Sequence, residues 1–456
     1  MAKKSISEFY KAYLFCGKYA ANHNTLYRCN DAFHYYQKIG KQDIQMVLCS
    51  DIHEEARDEI SIGMINEIHA RLLRDPRLQK DFGLIRKKNQ HLVHTLNGVY
   101  NVDTGEFIER PDYADQFEFD YVLNFNYIPD ADITEAKSWH TLLNTSLEIA
   151  KYPGKEKFVY QIIAYLLCRF LSAEKAVILY GDSGCGKSVM CSLIESAFRP
   201  DDMFDFKLDS LGNANYRIML RNTSLTICRE IPMAPIKHID IFKSLITSEK
   251  ISGEAKYEMA VTFAPYCKVL MAGNTLPNFK EVDDTGNESM IRRFVVLPFK
   301  KVHTNRNNYL TEELIREKDI IFSYALSYLK ELVASGFEFS LSEDSKEILN
   351  RYKEEQDMLP LFVSECCMTG EEHRIHNRDL LKAVRRFYAE NGFNCLMSSR
   401  QIINKISELS GGTRARFRIN KSAPLWGIQG IALRDSESIT SCKIRTKNTK
   451  TKGETL

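Results

Sequence analysis

Ala176-Val-Ile-Leu-Tyr-Gly-Asp-Ser-Gly-Cys-Gly-Lys-Ser-Val-Met-Cys-Ser-Leu-Ile-Glu195 is the stretch from which the rest of the chain is read. Ala176 to Tyr180 is an apolar run that predicts a buried strand. Gly181-x-x-x-x-Gly186-Lys187-Ser188 follows at once, and Val189 to Phe198 has the apolar spacing of a helix. A strand, a glycine-rich turn and a helix in that order make a P-loop. The glycines let the backbone turn tightly and aim its N–H groups at phosphate oxygens, and the helix adds its positive end. Gly181, Asp182, Ser183, Gly184, Cys185, Gly186, Lys187 and Ser188 are therefore the candidate phosphate-binding residues. Lys187 is expected to reach the β- and γ-phosphates, and Ser188 a Mg²⁺. An ordinary glycine-rich turn is the alternative, and the correct flanks on both sides weigh against it.

Downstream, other runs supply groups that nucleotide hydrolysis can use. Thr223-Ser-Leu-Thr-Ile-Cys-Arg-Glu230 is strand-like and ends in a carboxylate. At that distance from Lys187 a carboxylate stands where a Walker B acid belongs, able to orient water and help hold Mg²⁺. Alone, a strand ending in Glu is commonplace. Cys267-Lys-Val-Leu-Met-Ala-Gly-Asn274 ends in an amide that can hydrogen-bond both phosphate and water, though Asn274-Thr-Leu-Pro277 is also a turn signal. Arg292 and Arg293 precede a third strand, Phe294 onward. An arginine on a subunit edge can stabilise charge on a neighbour's γ-phosphate, with a surface arginine pair as the alternative. Between acid and amide, Lys250 to Phe263 predicts two short strands around Gly253, with Lys256 and Tyr257 near the tip. Lysine beside an aromatic suits a grip on single-stranded nucleic acid; an edge hairpin guarded by lysines is the bland reading.

The 456 residues suggest about three domains, and 44% hydrophobic with 11% aromatic residues allow real cores. Twelve cysteines occur singly or as Cys366-Cys367, with no C-x-x-C, so neither zinc nor a disulfide framework is indicated and a cytoplasmic location fits. Cys185 reads as a small residue tolerated within a backbone-built loop. Met1-Ala-Lys-Lys-Ser5 opens no apolar segment, and no apolar run approaches roughly 18 residues, so no membrane is expected. The net charge of +2 hides an asymmetry: residues 374–456 carry 17 Lys and Arg against 6 Asp and Glu. That basic end suits a polyanion, with a solvated tail as the alternative for the last stretch.

Upstream, helices are expected over Ile6 to Ala21 and Ser61 to Leu73, with a hairpin around Asn30-Asp31. His91 and His94 could suggest a metal pair, but without a third ligand they read as ordinary histidines. Leu96 to Ile108 predicts a hairpin turning at Asp103-Thr-Gly105, and Trp139 to Tyr152 and Lys157 to Leu171 two amphipathic helices. After a helix from Ile320 to Ser335 and another from Ser345 to Gln356, three helices are predicted: Leu359 to Met368, His376 to Asn391 and Ser399 to Leu409. Strands Thr413 to Asn420 and Leu425 to Leu433 follow. That order makes a winged helix. Arg400 and Lys405 lie on its recognition helix, and Arg414, Arg416 and Arg418 alternate along the wing with Phe417 and Ile419 inward. A protein-docking module is the alternative.

The motifs in this order, with Lys243 and Ser252-Gly-Glu-Ala-Lys-Tyr257, Ala272-Gly-Asn-Thr-Leu-Pro277 and Arg292-Arg-Phe294, resemble superfamily 3 helicases. The likeness is to the phage and plasmid primase-helicase branch shared with poxviruses and satellite elements. Asn97-Gly-Val-Tyr-Asn-Val-Asp-Thr-Gly-Glu-Phe107 resembles the segment preceding that helicase module. More narrowly, the build is similar to replication initiators of staphylococcal pathogenicity islands. The resemblance implies an α/β fold with an AAA+ core, ATP with Mg²⁺, a hexameric ring around single-stranded DNA, and three-prime to five-prime unwinding. It makes Glu230 the Walker B acid, Asn274 sensor 1, Lys256 the channel-hairpin lysine and Arg293 the finger acting in trans, with Arg292 as runner-up. Arg229 departs from the family by standing where an earlier acid is usual. The expected organisation is an N-terminal α+β region (1–110), a helical collar (111–172), the core (173–340), the winged helix (341–435) and a basic tail (436–456). About 90 residues precede the matching segment, so a separate primase is expected. The expected function is a replication-initiator helicase of a phage or mobile element, recognising duplex origin DNA through the winged helix. An initiator or clamp that melts without unwinding is the rival, and a small-molecule P-loop kinase a third class.

Overall fold

Ser5 and Glu8 close a reciprocal capping box on the first helix, Ile6–Phe15, so two end groups of the backbone find partners at once. The chain's fold is that of a computed structural model, which describes residues 5–22, 24–52, 57, 60–110, 116–169, 173–232, 236, 238–256, 259–278, 290–300, 307–356, 358–390, 395, 397–419 and 423–434. It divides into two units. The first takes in Met1–Ile231, Asp240–Thr275 and Val295–Asp344; the second Pro232–Ile239, Leu276–Phe294 and Ser345–Leu456.

In the first unit, β1 (Tyr19–Asn22), β2 (Thr25–Asn30) and β3 (Tyr35–Lys38) form an antiparallel sheet. The expected hairpin is β2–β3. The expected helix to Ala21 stops at Phe15 instead, because Gly17 turns the chain with φ 73° and the next residues pair as β1. Helix Ile62–Arg74, capped by the Ser61 hydroxyl, buries Ile65, Ile68 and Leu72 at helical spacing. A second antiparallel sheet follows, of β4 (Leu92–His94), β5 (Gly98–Asn101) and β6 (Phe107–Glu109). His94 is buried and stacked on Phe119, its Nδ1 2.7 Å from the Tyr121 carbonyl, and burial pushes its pKa down to about 3. His91 faces Asp103.

Helices Lys137–Thr145 and Lys155–Leu167 lead into the central sheet. The second is buried on nearly every side, rather than on the single face its sequence suggested. Helices Lys318–Leu326 and Leu329–Ala334 pack over it, with Tyr160 stacked on Tyr328, and the polar atoms it carries inward find partners. Gln161 accepts from the Ser340 N–H at 2.7 Å. Lys155 donates to the Pro298 carbonyl at 2.9 Å and to Asp344 at 2.7 Å, both members of that ion pair being 0% exposed.

The central sheet is built from β7 (Ala176–Tyr180), β8 (Met203–Asp205), β9 (Leu225–Cys228), β12 (Lys268–Gly273) and β13 (Phe294–Pro298). The hairpin β10 (Ile251–Gly253) and β11 (Val261–Phe263) precedes β12 as a separate two-stranded piece. The order is β13-β7-β12-β9-β8, and β7–β12, β12–β9 and β9–β8 pair in parallel. Both faces are covered, which explains why β7, β9 and β12 read as unbroken apolar runs rather than alternating ones.

In the second unit, helices Leu359–Cys366, Asn377–Glu390 and Ser399–Ser410 bury Phe362, Phe387, Ile402 and Ile406 in one core. A three-stranded antiparallel sheet joins them: β14 (Cys367–His376), β15 (Thr413–Phe417) and β16 (Leu425–Leu433), in the order β14-β16-β15. β14 is absent from the sequence reading. Its Gly370-Glu-Glu-His-Arg374 stretch breaks the alternation, and the register shifts between Thr369 and Arg374. No described helix is long and apolar enough to cross a membrane.

Candidate functional site

The turn after β7 is shaped by what surrounds it. The Gly181 N–H donates to the Gly273 carbonyl at 3.1 Å, tying the loop to the end of β12. A Cβ on Gly181 would lie 2.5 Å from the Phe299 carbonyl oxygen. Gly186 has φ 103°, and a Cβ there would meet Ser146 Oγ at 2.8 Å, so both ends of the turn accept only glycine. Ser146 and Phe299 form the bed of the loop: the Phe299 N–H donates to Tyr180 O at 2.7 Å and the Lys300 N–H to Ser146 O at 3.0 Å. Nothing in their own sequence signals this role.

Lys187 opens the helix Lys187–Glu195 and turns back over the loop, its Nζ donating to Gly181 O at 2.6 Å and Asp182 O at 2.7 Å. Cys185 is buried in the core beneath, while Asp182, Ser183 and Ser188 are exposed. Gly184 and Gly186 both adopt positive φ. The loop thus presents a backbone concavity and a lysine at the start of a helix, an arrangement that favours anions.

Register brings two further residues to the same edge. Gly273 pairs with Tyr180, and Met271 with Cys228. Asn274 follows β12 and Glu230 lies just beyond β9, so both stand at the carboxyl ends of parallel strands beside the loop, and both are exposed. Arg229 is held elsewhere. Its guanidinium pairs with Glu195 at 2.5 Å and Asp205 at 3.0 Å, bridging the end of the helix after the loop to β8. Burial raises the Glu195 pKa, and Arg229 opposes that by favouring the carboxylate.

The other sequence candidates are carried by other elements. Lys256 is exposed at the tip between β10 and β11, and Tyr257 lies outside the described residues. Arg217 anchors the hairpin, its Nε donating to Ser252 O at 2.7 Å. Met259, which follows Lys256 in the same hairpin, is 89% exposed. Arg292 and Arg293 belong to the second unit, where Arg292 is exposed and Arg293 only 9% exposed.

Arg400 and Lys405 lie on the helix Ser399–Ser410, which starts with a Ser398–Gln401 capping box; Arg400 is exposed and Lys405 half-buried. Arg414 and Arg416 are exposed on β15. The strand ends at Phe417, so Arg418 stands just past it and the expected alternation holds for two arginines rather than three. Phe417 packs inward against His376, whereas Ile419 is half-buried. No group of three or more metal-ligating side chains occurs among the described residues.

A family of unknown function, DUF5906, matches residues 179–293, a span that begins in β7 and ends at Arg293. No curated protein matches the chain. Three similar solved structures are of the C terminal region of NrS-1. The A form apo structure has a TM-score of 0.48 at 13% identity, covering 94% of this chain and 99% of that one. An A form apo structure of residues 305–718 gives 0.47 at 14%, covering 93% and 99%. A further apo structure of the same region gives 0.49 at 13%, covering 94% and 99%.

Proposed function

We propose that this chain is an ATP-hydrolysing DNA helicase of the superfamily 3 type that initiates replication of a phage or mobile element. What supports the reading above all is the alignment of Gly181, Asn274 and Glu230 at the carboxyl ends of three neighbouring parallel strands, with a helix starting at the same edge.

ATP with Mg²⁺ fits these residues. Glycine at 181 and 186, where a Cβ would meet Phe299 and Ser146, lets the turn close, and Lys187 and the helix start supply positive charge. Bound Mg²⁺ would neutralise charge on the transferring phosphoryl group, and Ser188 and Glu230 are the residues that would hold it. Lys187 exchanges its carbonyl partners for phosphate oxygens, Glu230 orients a water, and Asn274 hydrogen-bonds water and phosphate. The trans-acting arginine is assigned to Arg292, because an exposed side chain can reach a neighbouring subunit and Arg293 is buried. That reverses the preference drawn from sequence. Six copies would close a ring, Lys256 and Tyr257 gripping single-stranded DNA, while the second unit binds duplex origin DNA as a winged helix through Arg400, Lys405, Arg414, Arg416 and Arg418.

A second reading, a clamp or initiator that melts DNA without processive unwinding, draws on Arg229, which takes the sequence position of an earlier acid and is itself paired with Glu195 and Asp205. ATP turnover and strand displacement on tailed duplexes separate the two. Expected are DNA-stimulated hydrolysis and three-prime to five-prime displacement, both lost in Glu230→Gln while ATP binding is kept. Stimulated hydrolysis without displacement favours the clamp. Turnover indifferent to DNA sinks both. Mixing Arg292→Ala with Glu230→Gln subunits should restore part of the hydrolysis, and no rescue at any ratio removes the trans assignment.

A further inference from the structure

One large aromatic in the second unit belongs to no core. Trp426, on β16, is 61% exposed, whereas the chain's other tryptophan, Trp139, is fully buried. Its surroundings are cationic. Antiparallel register sets Trp426 directly opposite Arg416, and residues so paired share a face with Cβ atoms about 5 Å apart. Two residues along, Arg414 lies on the same face, and its guanidinium donates to Asn404 Oδ1 on the helix Ser399–Ser410. Arg400 stands one turn before Asn404 on that helix, and Glu408 one turn after it. Arg400, Asn404, Arg414, Arg416 and Trp426 thus form a strip running from the helix onto the hairpin.

The ion pairs of this region among the described residues are His373–Glu372, Arg378–Asp379 and Arg386–Glu390, so the arginines of the strip keep their charge for a partner. Arg416 makes a single hydrogen bond to the Pro424 carbonyl, at 3.2 Å, which leaves most of its donors for that partner. An apolar protein partner would need apolar neighbours around the indole. Here the exposed groups on the same face are guanidinium ions, Leu425, 42% exposed, standing on the other face, and the sequence from 374 onward carries 17 basic against 6 acidic residues. A polyanion with apolar patches between its charges meets both conditions, and duplex DNA presents deoxyribose faces between phosphates.

We infer that Trp426 is a duplex-DNA contact, its indole lying against deoxyribose and the adjoining base edge while Arg416 holds the neighbouring phosphate. The inference rests on the reading that the second unit binds duplex DNA, and adds to it the residue that supplies contact without charge. The two contributions differ in salt dependence: a phosphate contact releases counterions, and an indole contact releases none.

The test uses the full-length protein and a short labelled duplex of arbitrary sequence. Binding is read by anisotropy across a salt series, and contact by tryptophan emission with an unlabelled duplex. Wild-type emission should change on adding duplex, and in Trp426→Phe, where only the buried Trp139 emits, the change should vanish. Trp426→Ala should weaken duplex binding about tenfold with the slope against log salt unaltered, whereas Arg416→Ala should lower that slope by about 1. If the duplex binds but emission stays constant and Trp426→Ala binds like wild type, the indole contact is wrong and the DNA reading stands. If no duplex binds, both fall. An emission change produced by a single-stranded oligonucleotide and not by duplex overturns the duplex contact in favour of a single-strand one.

Discussion

The glycine loop of the first unit and the arginine strip of the second are built in opposite ways. At the loop, the groups offered to a ligand are largely backbone, held by contacts that exclude any side chain at positions 181 and 186. At the strip they are side chains, carried by one helix and one hairpin, with backbone serving only to set their spacing. A backbone-built site tolerates almost no change at its fixed points, because a Cβ there would collide with the Phe299 carbonyl or with Ser146. A side-chain site degrades by steps, one charge at a time.

Lys187→Ala should break this contrast most visibly if it is wrong. Removing the lysine should reduce ATP turnover by roughly a thousandfold or more while duplex affinity stays near wild type. A parallel loss of duplex binding would mean that the two regions are not separable. The next effect concerns what holds the bed of the loop. Lys155 and Asp344 are wholly buried, and burial lowers the Lys155 pKa, with Asp344 opposing. Lys155→Met takes the nearest cation from the buried Asp344 carboxylate, which keeps the Ser342 hydroxyl at 2.7 Å and Lys300 at 3.9 Å, and also frees the Pro298 carbonyl, at an expected cost of about 3–5 kcal/mol in chemical denaturation. Adding Asp344→Leu should recover most of that. A double variant no better than the single one would show that the charge pair is not what matters there.

A smaller effect, on the order of a few kcal/mol, is expected from acid. His94 is neutral when folded, since burial depresses its pKa from 6.5 to about 3. The unfolded chain therefore takes up a proton that the folded one refuses. Stability from this group is present above pH 6.5 and lost as pH falls from 6.5 towards 3. Asp202, raised by burial to about 7, acts in the opposite sense between 3.8 and 7, so the readout is the difference in pH slope between wild type and His94→Asn. Equal slopes would remove His94 as the cause. The smallest effects belong to the arginines of the second unit. Neutralising Arg414, Arg416 and Arg418 together should lower the salt slope of duplex binding by about 3. Arg400→Ala should change preference between duplex sequences by about 1–3 kcal/mol. Uniform weakening by Arg400→Ala would make it a phosphate contact instead.

Legibility followed the same division. Strands β7, β9 and β12 were readable because both sheet faces are covered and only continuous apolar runs satisfy that. The hairpins β2–β3 and β5–β6 were readable from their turn residues. β14 was not, because a register shift and a charged stretch erase the period that would reveal it. The near-complete burial of Lys155–Leu167 was hidden too, since Lys155 and Gln161 look like a solvent face until Asp344, Pro298 and Ser340 supply their partners.

By itself, then, the amino-acid sequence determined the chemistry on offer: a turn that only glycine can make, a lysine and serine beginning a helix, a carboxylate and an amide ending two strands, and basic residues gathered towards the end of the chain. These follow from local rules, because steric limits and apolar spacing act over a few residues. Tertiary structure alone decided which groups meet. Strand order places Asn274 between the loop and Glu230, Arg229 is drawn off to Glu195 and Asp205, and register sets Trp426 opposite Arg416. Such neighbours are far apart in the chain. Only the burial of a shared core selects one pairing among the many that local preference allows.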